Sequence, residues 1–290
     1  MNSVSERRRR FRAILEGHAC VHPGSVFDPM SARIAEDLGF ECGMFAGSTA
    51  SLTVLGAPDL IVLTLTEFAE QARRICRAAK TLPLLVDADH GYGNALNAMR
   101  TVQELEAAGV AAMTLEDTVL PRTYGDGKTA LLSLDEGLGK VRAALAARDD
   151  PGFCVVARTG AVSFTGLEDA VERTRAYTAS GADALFYTGV RTRAELDALS
   201  AAATVPIVLG GVEGTEVNDR AYLAARGVRV ALQGHQPIMA AARAVHDTLK
   251  ALREGTRPAD LPGLPAPGLV AAATRDADYK QWTRDFLGGA

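Results

Sequence analysis

Leu82-Pro83-Leu84-Leu85-Val86-Asp87-Ala88-Asp89-His90-Gly91-Tyr92-Gly93 carries an apolar run directly into two carboxylates spaced i, i+2. Glycines follow at once, and a helix-like pattern begins near Asn94. This is the signature of a buried strand that delivers acids to its C-terminal end. In parallel α/β proteins that end is where ligands bind. Two carboxylates beside open, glycine-lined space suit a hard divalent cation such as Mg²⁺. An Asp pair that caps the next helix or binds loop amides is the plainer alternative.

Outward from this stretch, short apolar runs alternate with longer amphipathic ones. Strands are predicted at 19–22, 42–46, 82–87, 111–115, 153–157, 183–188, 205–210 and 228–232. Helical patterns lie near 29–38, 66–80, 94–108, 134–148, 166–180, 192–202, 216–226 and 236–254. Gly39, Gly109, Gly181 and Gly227 punctuate helix ends just before strands, where a left-handed C′ residue is needed. Eight strands alternating with eight helices predict a (β/α)₈ TIM-type barrel. A doubly wound open sheet would need a phosphate fingerprint after its first strand, and none is present.

The chain reads as a single barrel domain spanning 1–290, with a helix over 1–17 ahead of the first strand. Residues 255–290 form a C-terminal arm that opens with Pro258, Pro262, Pro265 and Pro267. The arm closes with Tyr279, Trp282 and Phe286 on one face of a short helix. That face is expected to dock on an apolar surface, either the chain's own barrel or a neighbouring subunit.

With 290 residues, 48% hydrophobic and 23% charged, the chain can bury a large core. A net charge of −4 argues against a nucleic-acid partner. The run Arg7-Arg8-Arg9-Arg10 reads as a solvated helix face. No apolar stretch is long enough to span a bilayer, and no secretory signal follows the basic run. Cys20, Cys42, Cys76 and Cys154 have no metal-like spacing. They read as reduced, buried residues of a cytoplasmic protein.

In a barrel the strand C-termini converge on one mouth, so their end residues form a site inventory. The second strand ends at Ala46-Gly47-Ser48-Thr49-Ala50-Ser51, and the loop after it carries Asp59. The third supplies Asp87, Asp89 and His90; the fourth Glu116 and Asp117; the fifth Arg158 and Thr159; the eighth Gln233-Gly234-His235. So many acids repel one another, and a divalent cation resolves that repulsion. An arginine opposite a metal suits a small dianion. Each residue also has a structural alternative: an ion pair for Arg158, packing for His235, a tight turn for Ser48. Asp117 is expected to brace the loop after strand four rather than touch ligand.

With these residues assembled, the chain resembles the isocitrate lyase and phosphoenolpyruvate mutase superfamily over roughly residues 10–250. The resemblance is carried by Asp87-Ala88-Asp89-His90-Gly91-Tyr92-Gly93, by Leu115-Glu116-Asp117 and by Ala157-Arg158-Thr159. Ser25-Val26-Phe27-Asp28-Pro29-Met30-Ser31-Ala32-Arg33-Ile34-Ala35, Asn94 after the glycines, and Gly234-His235 point to the branch of magnesium-dependent oxaloacetate decarboxylases. The resemblance implies Mg²⁺, with Mn²⁺ as the alternative, bound directly by Asp87 and through water by Asp59, Asp89 and Glu116. It implies that Ser48, the amides at Gly47–Thr49 and Arg158 hold the carboxylate of a small 2-keto dicarboxylate. His235 would line the far end of that substrate. It also implies a helix-swapped homo-oligomer, a dimer or tetramer.

Three departures bear on the reaction. Family lyases carry a cysteine on the loop after strand four, where this chain has Tyr124; this disfavours a thiol proton donor. Phosphonate branches carry a lysine after the Glu-Asp pair, where this chain has Thr118. The decarboxylase branch can carry a tyrosine after strand seven, where this chain has Val212. The expected activity is decarboxylation of oxaloacetate to pyruvate and CO₂ through a metal-stabilised enolate. Asp87, Arg158 and His235 would be its catalytic residues, with His235 either orienting the C4 carboxylate or relaying a proton. A C–C lyase acting on a substituted malate, a phosphonopyruvate-type enzyme and a keto-acid binding protein without turnover are the alternatives. The glycine-bearing segment 118–131 is expected to close over the ligand.

Overall fold

The computed structural model describes residues 4–125, 128–212 and 214–288. The chain falls into two compact units that part after His235.

In the first unit, α1 (Val4–Glu16) precedes β1 (Gly24–Ser25), α2 (Pro29–Asp37), β2 (Gly43–Phe45), α3 (Gly47–Ala50), α4 (Leu65–Ala78) and β3 (Leu84–Asp87). Then come α5 (Ala95–Ala108), β4 (Ala112–Glu116), α6 (Leu134–Ala146), β5 (Cys154–Thr159), α7 (Ala161–Phe164) and α8 (Leu167–Ala179). β6 (Ala184–Tyr187), α9 (Arg193–Ala202), β7 (Ile207–Leu209), α10 (Arg220–Ala225) and β8 (Val228–Ala231) complete it. The eight strands pair in parallel in chain order. Val21 bridges to Val230 and brings the two ends of the sheet together. This is the (β/α)₈ fold.

The strands alternate between two cores, as their two-residue period requires. Met44, Leu85, Ala112, Cys154, Val156, Ala184, Phe186, Val208 and Val230 fill the barrel interior, where Phe11 and Leu15 of α1 join them. Phe45, Val86, Met113, Val155, Ala157, Leu185 and Leu209 point outward and pack with the helices. Because both faces are buried, the strands read as continuous apolar runs.

The helices start on well-formed caps. Asp28, Thr64, Asn94 and Thr192 each close a capping box with the residue three positions on. Gly39, Gly109, Gly181 and Gly227 have φ between 78° and 90°, as expected of C′ positions.

Several boundaries differ from the sequence reading, each for a physical reason. The predicted first strand at 19–22 is reduced to the Val21 bridge, and β1 lies at Gly24–Ser25. Pro23 has no N–H to donate, and the chain changes partner there. Val21 N donates to Arg229 O at 2.9 Å, whereas Gly24 N donates to Cys42 O at 3.0 Å. The predicted helix 216–226 begins only at Arg220, because the Asp219 side chain accepts from the Ala221 and Tyr222 amides. Arg7 and Arg8 are not a solvated face: they are 7% and 5% exposed. Arg8 Nε donates to Val110 O at 3.0 Å, and Arg8 also pairs with Asp150 at 2.7 Å. Only Arg9 and Arg10 of the run are exposed. The four cysteines are free and buried.

The second unit contains α11 (Gln236–Arg253), a 3₁₀ turn at Pro258–Asp260, α12 (Pro267–Thr274) and α13 (Asp276–Leu287). α12 was not anticipated; Pro267 starts it, and Arg275 ends it in a left-handed conformation. α11 buries none of its residues, and Met239, Val245, Leu249 and Leu252 are exposed along it. In α13 the Tyr279 and Trp282 rings meet edge to face at 5.1 Å. Among the described residues no helix is long and apolar enough to cross a membrane.

Candidate active site at the barrel mouth

Strand parity decides which acids face the interior. Asp87 has the parity of Leu85, Glu116 that of Ala112, and Arg158 that of Val156, so all three turn inward at the C-terminal rim. Asp117 has the opposite parity and turns toward α8. There it pairs with Arg173 at 3.0 Å and accepts from the Tyr177 hydroxyl at 2.8 Å. It braces the fold, as the sequence reading expected.

Asp87 is the hub. Its Oδ1 accepts from the Thr114 hydroxyl at 2.7 Å and from the Asp89 amide at 3.3 Å. Its Oδ2 accepts from Arg158 Nη1. Arg158 also lies 3.3 Å from Glu116 Oε2 through its Nε, an ion pair whose N–H is not aligned as a hydrogen bond. The guanidinium packs over the Phe186 ring, 5.2 Å from its centre. Glu116 Oε2 also accepts from the Thr118 hydroxyl at 3.1 Å, so this threonine serves the acid.

Asp89 is carried past the strand end at φ 46°. A Cβ on Gly47 would lie 2.6 Å from its carboxylate oxygens, so only glycine lets β2's end approach this acid. His235 hydrogen-bonds Ser25 Oγ through Nδ1 at 3.1 Å. Two adjoining cavities of 370 and 390 Å³ share Asp59, Asp87 and Arg158. Ser48 and His235 line the first, and Asp89 and Glu116 line the second.

The electrostatics are those of a crowded anionic site. Burial, then the neighbouring Asp87, push the Asp89 carboxyl well above its usual range and Asp59 upward as well. Burial raises Glu116 despite the opposing Arg158. Burial depresses Arg158, but Asp87 and Glu116 outweigh it, and the guanidinium is held more firmly charged. His235 is lowered by burial, against the pull of Asp87 and Asp59.

The structure therefore brings Asp59, Asp87, Asp89, Glu116, Arg158, Ser48 and His235 to one mouth. Thr49 is fully buried, and its side chain does not line either cavity. Val212 is 1% exposed in the layer between barrel and helices. Tyr124 is fully exposed. Sequence reading missed Thr114, Phe186 and Ser25. Parity along β4 and β6 was the available clue for the first two. Thr118 and Leu131 pair in an antiparallel bridge, which closes the neck of the loop; its residues 126–127 lie outside the described residues.

A family model described as phosphoenolpyruvate phosphomutase matches residues 11–253. This chain belongs to the phosphoenolpyruvate phosphomutase family. The resemblance read from the strand-end motifs thus holds over nearly the whole chain. An oxaloacetate decarboxylase of Bradyrhizobium sp. (strain BTAi1) is 60% identical, with 97% of each chain covered. Among solved structures, oxaloacetate acetylhydrolase in complex with the inhibitor 3,3-difluorooxalacetate superposes with a TM-score of 0.85. It is 29% identical, with 99% of this chain and 98% of that one covered. Phosphonopyruvate hydrolase in complex with oxalate and Mg²⁺ gives a TM-score of 0.83 at 29% identity, covering 97% and 99%.

His90, beside this phosphomutase-family mouth, gives a pH prediction. It is 5% exposed, and burial, then Lys140, lower its imidazole to about 4 from 6.5. Between those values the unfolded chain binds a proton that the folded chain does not. Stability is therefore expected to rise with pH across this window and to be lost as pH falls through it, by about 2–3 kcal/mol. The check is urea unfolding at pH 4.5 and 7 for wild type and His90→Asn. The variant should lose part of the difference; an unchanged difference would refute the assignment.

Proposed function

We propose that this protein decarboxylates oxaloacetate to pyruvate and CO₂ with a divalent cation at the barrel mouth. The observation that carries the reading is the mouth itself: four carboxylates gather around Arg158 and His235, Arg122 lines the second cavity, and no thiol among the described residues lines either one. The oxaloacetate decarboxylase name of the Bradyrhizobium relative supports the same substrate.

The residues fit the metal. All the candidate donors are carboxylate oxygens, which hard cations prefer. Burial first, then repulsion from Asp87, raises the Asp89 carboxyl, and burial raises Glu116 against the pull of Arg158; a cation among them would favour their charged forms. No three His, Cys, Asp or Glu side chains among the described residues are arranged to hold an ion directly. That suits one direct ligand, Asp87, with Asp59, Asp89 and Glu116 acting through water. The ion is Mg²⁺ in the oxalate complex of the neighbouring hydrolase. When bound, it supplies the positive charge that stabilises the developing enolate.

The chain's own residues do the rest. Asp87 Oδ2 accepts from Arg158 and keeps a second lone pair, so the same carboxylate could orient the guanidinium and hold the cation. The substrate's C1 carboxylate pairs with the guanidinium, helped by Ser48 and by the amides of Gly47–Thr49, which open a helical turn and lack intrahelical acceptors. Phe186 fixes the plane of Arg158 beneath that carboxylate. His235, anchored by Ser25, lines the far end and positions the C4 carboxylate that leaves as CO₂. Closure of the 118–131 loop excludes bulk water, and a water at the mouth returns the proton to C3.

The test is pyruvate release from oxaloacetate with excess Mg²⁺, set against a blank containing Mg²⁺ alone. Saturable turnover well above the blank, abolished by EDTA and restored by Mg²⁺, is the expected outcome. Turnover equal to the blank would refute the activity.

The chain is also inferred to act in the cytoplasm as a homo-oligomer, with 255–290 as an arm of a single barrel domain and with the last barrel helix exchanged between copies. The exposed apolar row on α11 supports the exchange of that helix between copies. Leu249→Asp should shift the mass measured by light scattering toward a smaller species. A monomeric wild type would contradict the inference.

A further inference from the structure

We propose that the barrel end opposite the mouth carries a binding site for a small organic anion bearing two or more negative charges. The site is a concave pocket of 320 Å³ walled by Arg7, Arg73, Arg77 and Lys80, over a floor that includes Cys76 and Ala108. It lies where α4 and α5 end, just before β3 and β4 begin, whereas Asp87 and Glu116 sit at the other ends of those strands.

Among the described residues no acid lines this pocket. Carboxylates on the flanking helices have partners of their own: Glu70 pairs with Arg74 at 3.3 Å, Glu6 with Arg9 and Arg10, and Glu106 accepts from the amides of Asp149 and Asp150. Arg73, Arg77 and Lys80 are exposed and make no ion pair among the described residues. Arg7 is different: it is 7% exposed, and it reaches Lys80 O and Gly109 O only at 3.4 Å each. Its Nε is buried without a hydrogen-bond partner among the described residues.

The ordinary explanation for cations here is that they complement helix C-termini. Two such termini, of α4 and α5, offer about half a negative charge each. Four cations face them. The excess, about three positive charges gathered in one concavity, is self-repelling and is relieved by an anion. Arginine forks take two carboxylate or phosphate oxygens at once, and lysine adds a point charge. The floor of Cys76 and Ala108 suits the carbon body of such a ligand. Polycarboxylates and phosphorylated compounds share this chemistry.

The experiment is calorimetric titration of the full chain, stripped of metal on a chelating resin, at low ionic strength. Citrate and inorganic pyrophosphate are the probes. Wild type is expected to bind one anion per chain at this site, and Arg73→Ser/Arg77→Ser to bind it about tenfold or more weakly. Melting temperature and decarboxylase turnover should be unchanged in that variant. Arg158→Gln removes competing binding at the mouth and should leave this site intact. Lys80→Ser alone should also weaken it, which guards against a misfolded double variant. Binding of citrate alone assigns a polycarboxylate, and binding of pyrophosphate alone assigns a phosphorylated ligand. No binding of either probe, or equal affinity in the double variant, overturns the proposal.

Discussion

Asp87→Asn is expected to lower kcat/KM for oxaloacetate by about a thousandfold, equivalent to about 4 kcal/mol of transition-state stabilisation. The substitution keeps the shape of the side chain and the contact with Thr114. It removes the charge that would ligate the cation directly and that orients Arg158. A higher Mg²⁺ concentration for half-maximal rate should accompany the loss. Stability should move the other way. Asp87 is among the causes that push the Asp89 and Glu116 carboxyls upward, so neutralising it relieves repulsion in a buried site. The metal-free variant is therefore expected to melt no lower than wild type. A kcat/KM within tenfold of wild type would remove Asp87 from the catalytic machinery.

The second large effect lies outside the barrel. Arg173→Met should cost about 3–5 kcal/mol, because it leaves the buried Asp117 carboxylate without its cation and with hydroxyl partners such as Tyr177 in its place. Asp117 is 3% exposed, and burial already raises its carboxyl. In a chain of this size the loss should appear as a melting temperature lower by roughly 10 °C. The double variant Asp117→Asn/Arg173→Met should recover most of it, since an apolar replacement leaves no unpaired charge. Turnover should fall less than stability. Asp117 also accepts from the Leu132 amide at 2.7 Å and so anchors the loop's return, but it does not touch the mouth. Equal stability in wild type and Arg173→Met would show that water compensates the buried acid.

Much of the site was legible in the sequence because β-strand parity is a local property. The inward Glu116 and the outward Asp117 differ by one residue and therefore by one face. What remained hidden depends on contacts distant in the chain. Arg7 and Arg8 look like solvent-facing charge because nothing local shows the carbonyls of Gly109 and Val110, which receive them. The partner of His235 is Ser25, at the other end of the barrel's chain order. The first strand was misplaced although Pro23 was in plain view. An apolar run predicts burial, but a missing donor decides which neighbour the backbone can join.

That proline gives the barrel a seam. Every other junction is a ladder of at least two paired residues, but β8 meets the start of the barrel through the Val21 bridge. His22 Nδ1 on Ala231 O at 2.8 Å and Ser25 on His235 are side-chain stitches across the same line. A wall held by so few backbone bonds has the lowest cost of local opening. Its amides should exchange with solvent before those of β4 and β5. The barrel thus gives way first on the side where His235 lines the cavity, so the elastic wall of the pocket is the one that would meet the departing end of the substrate in the proposed reaction.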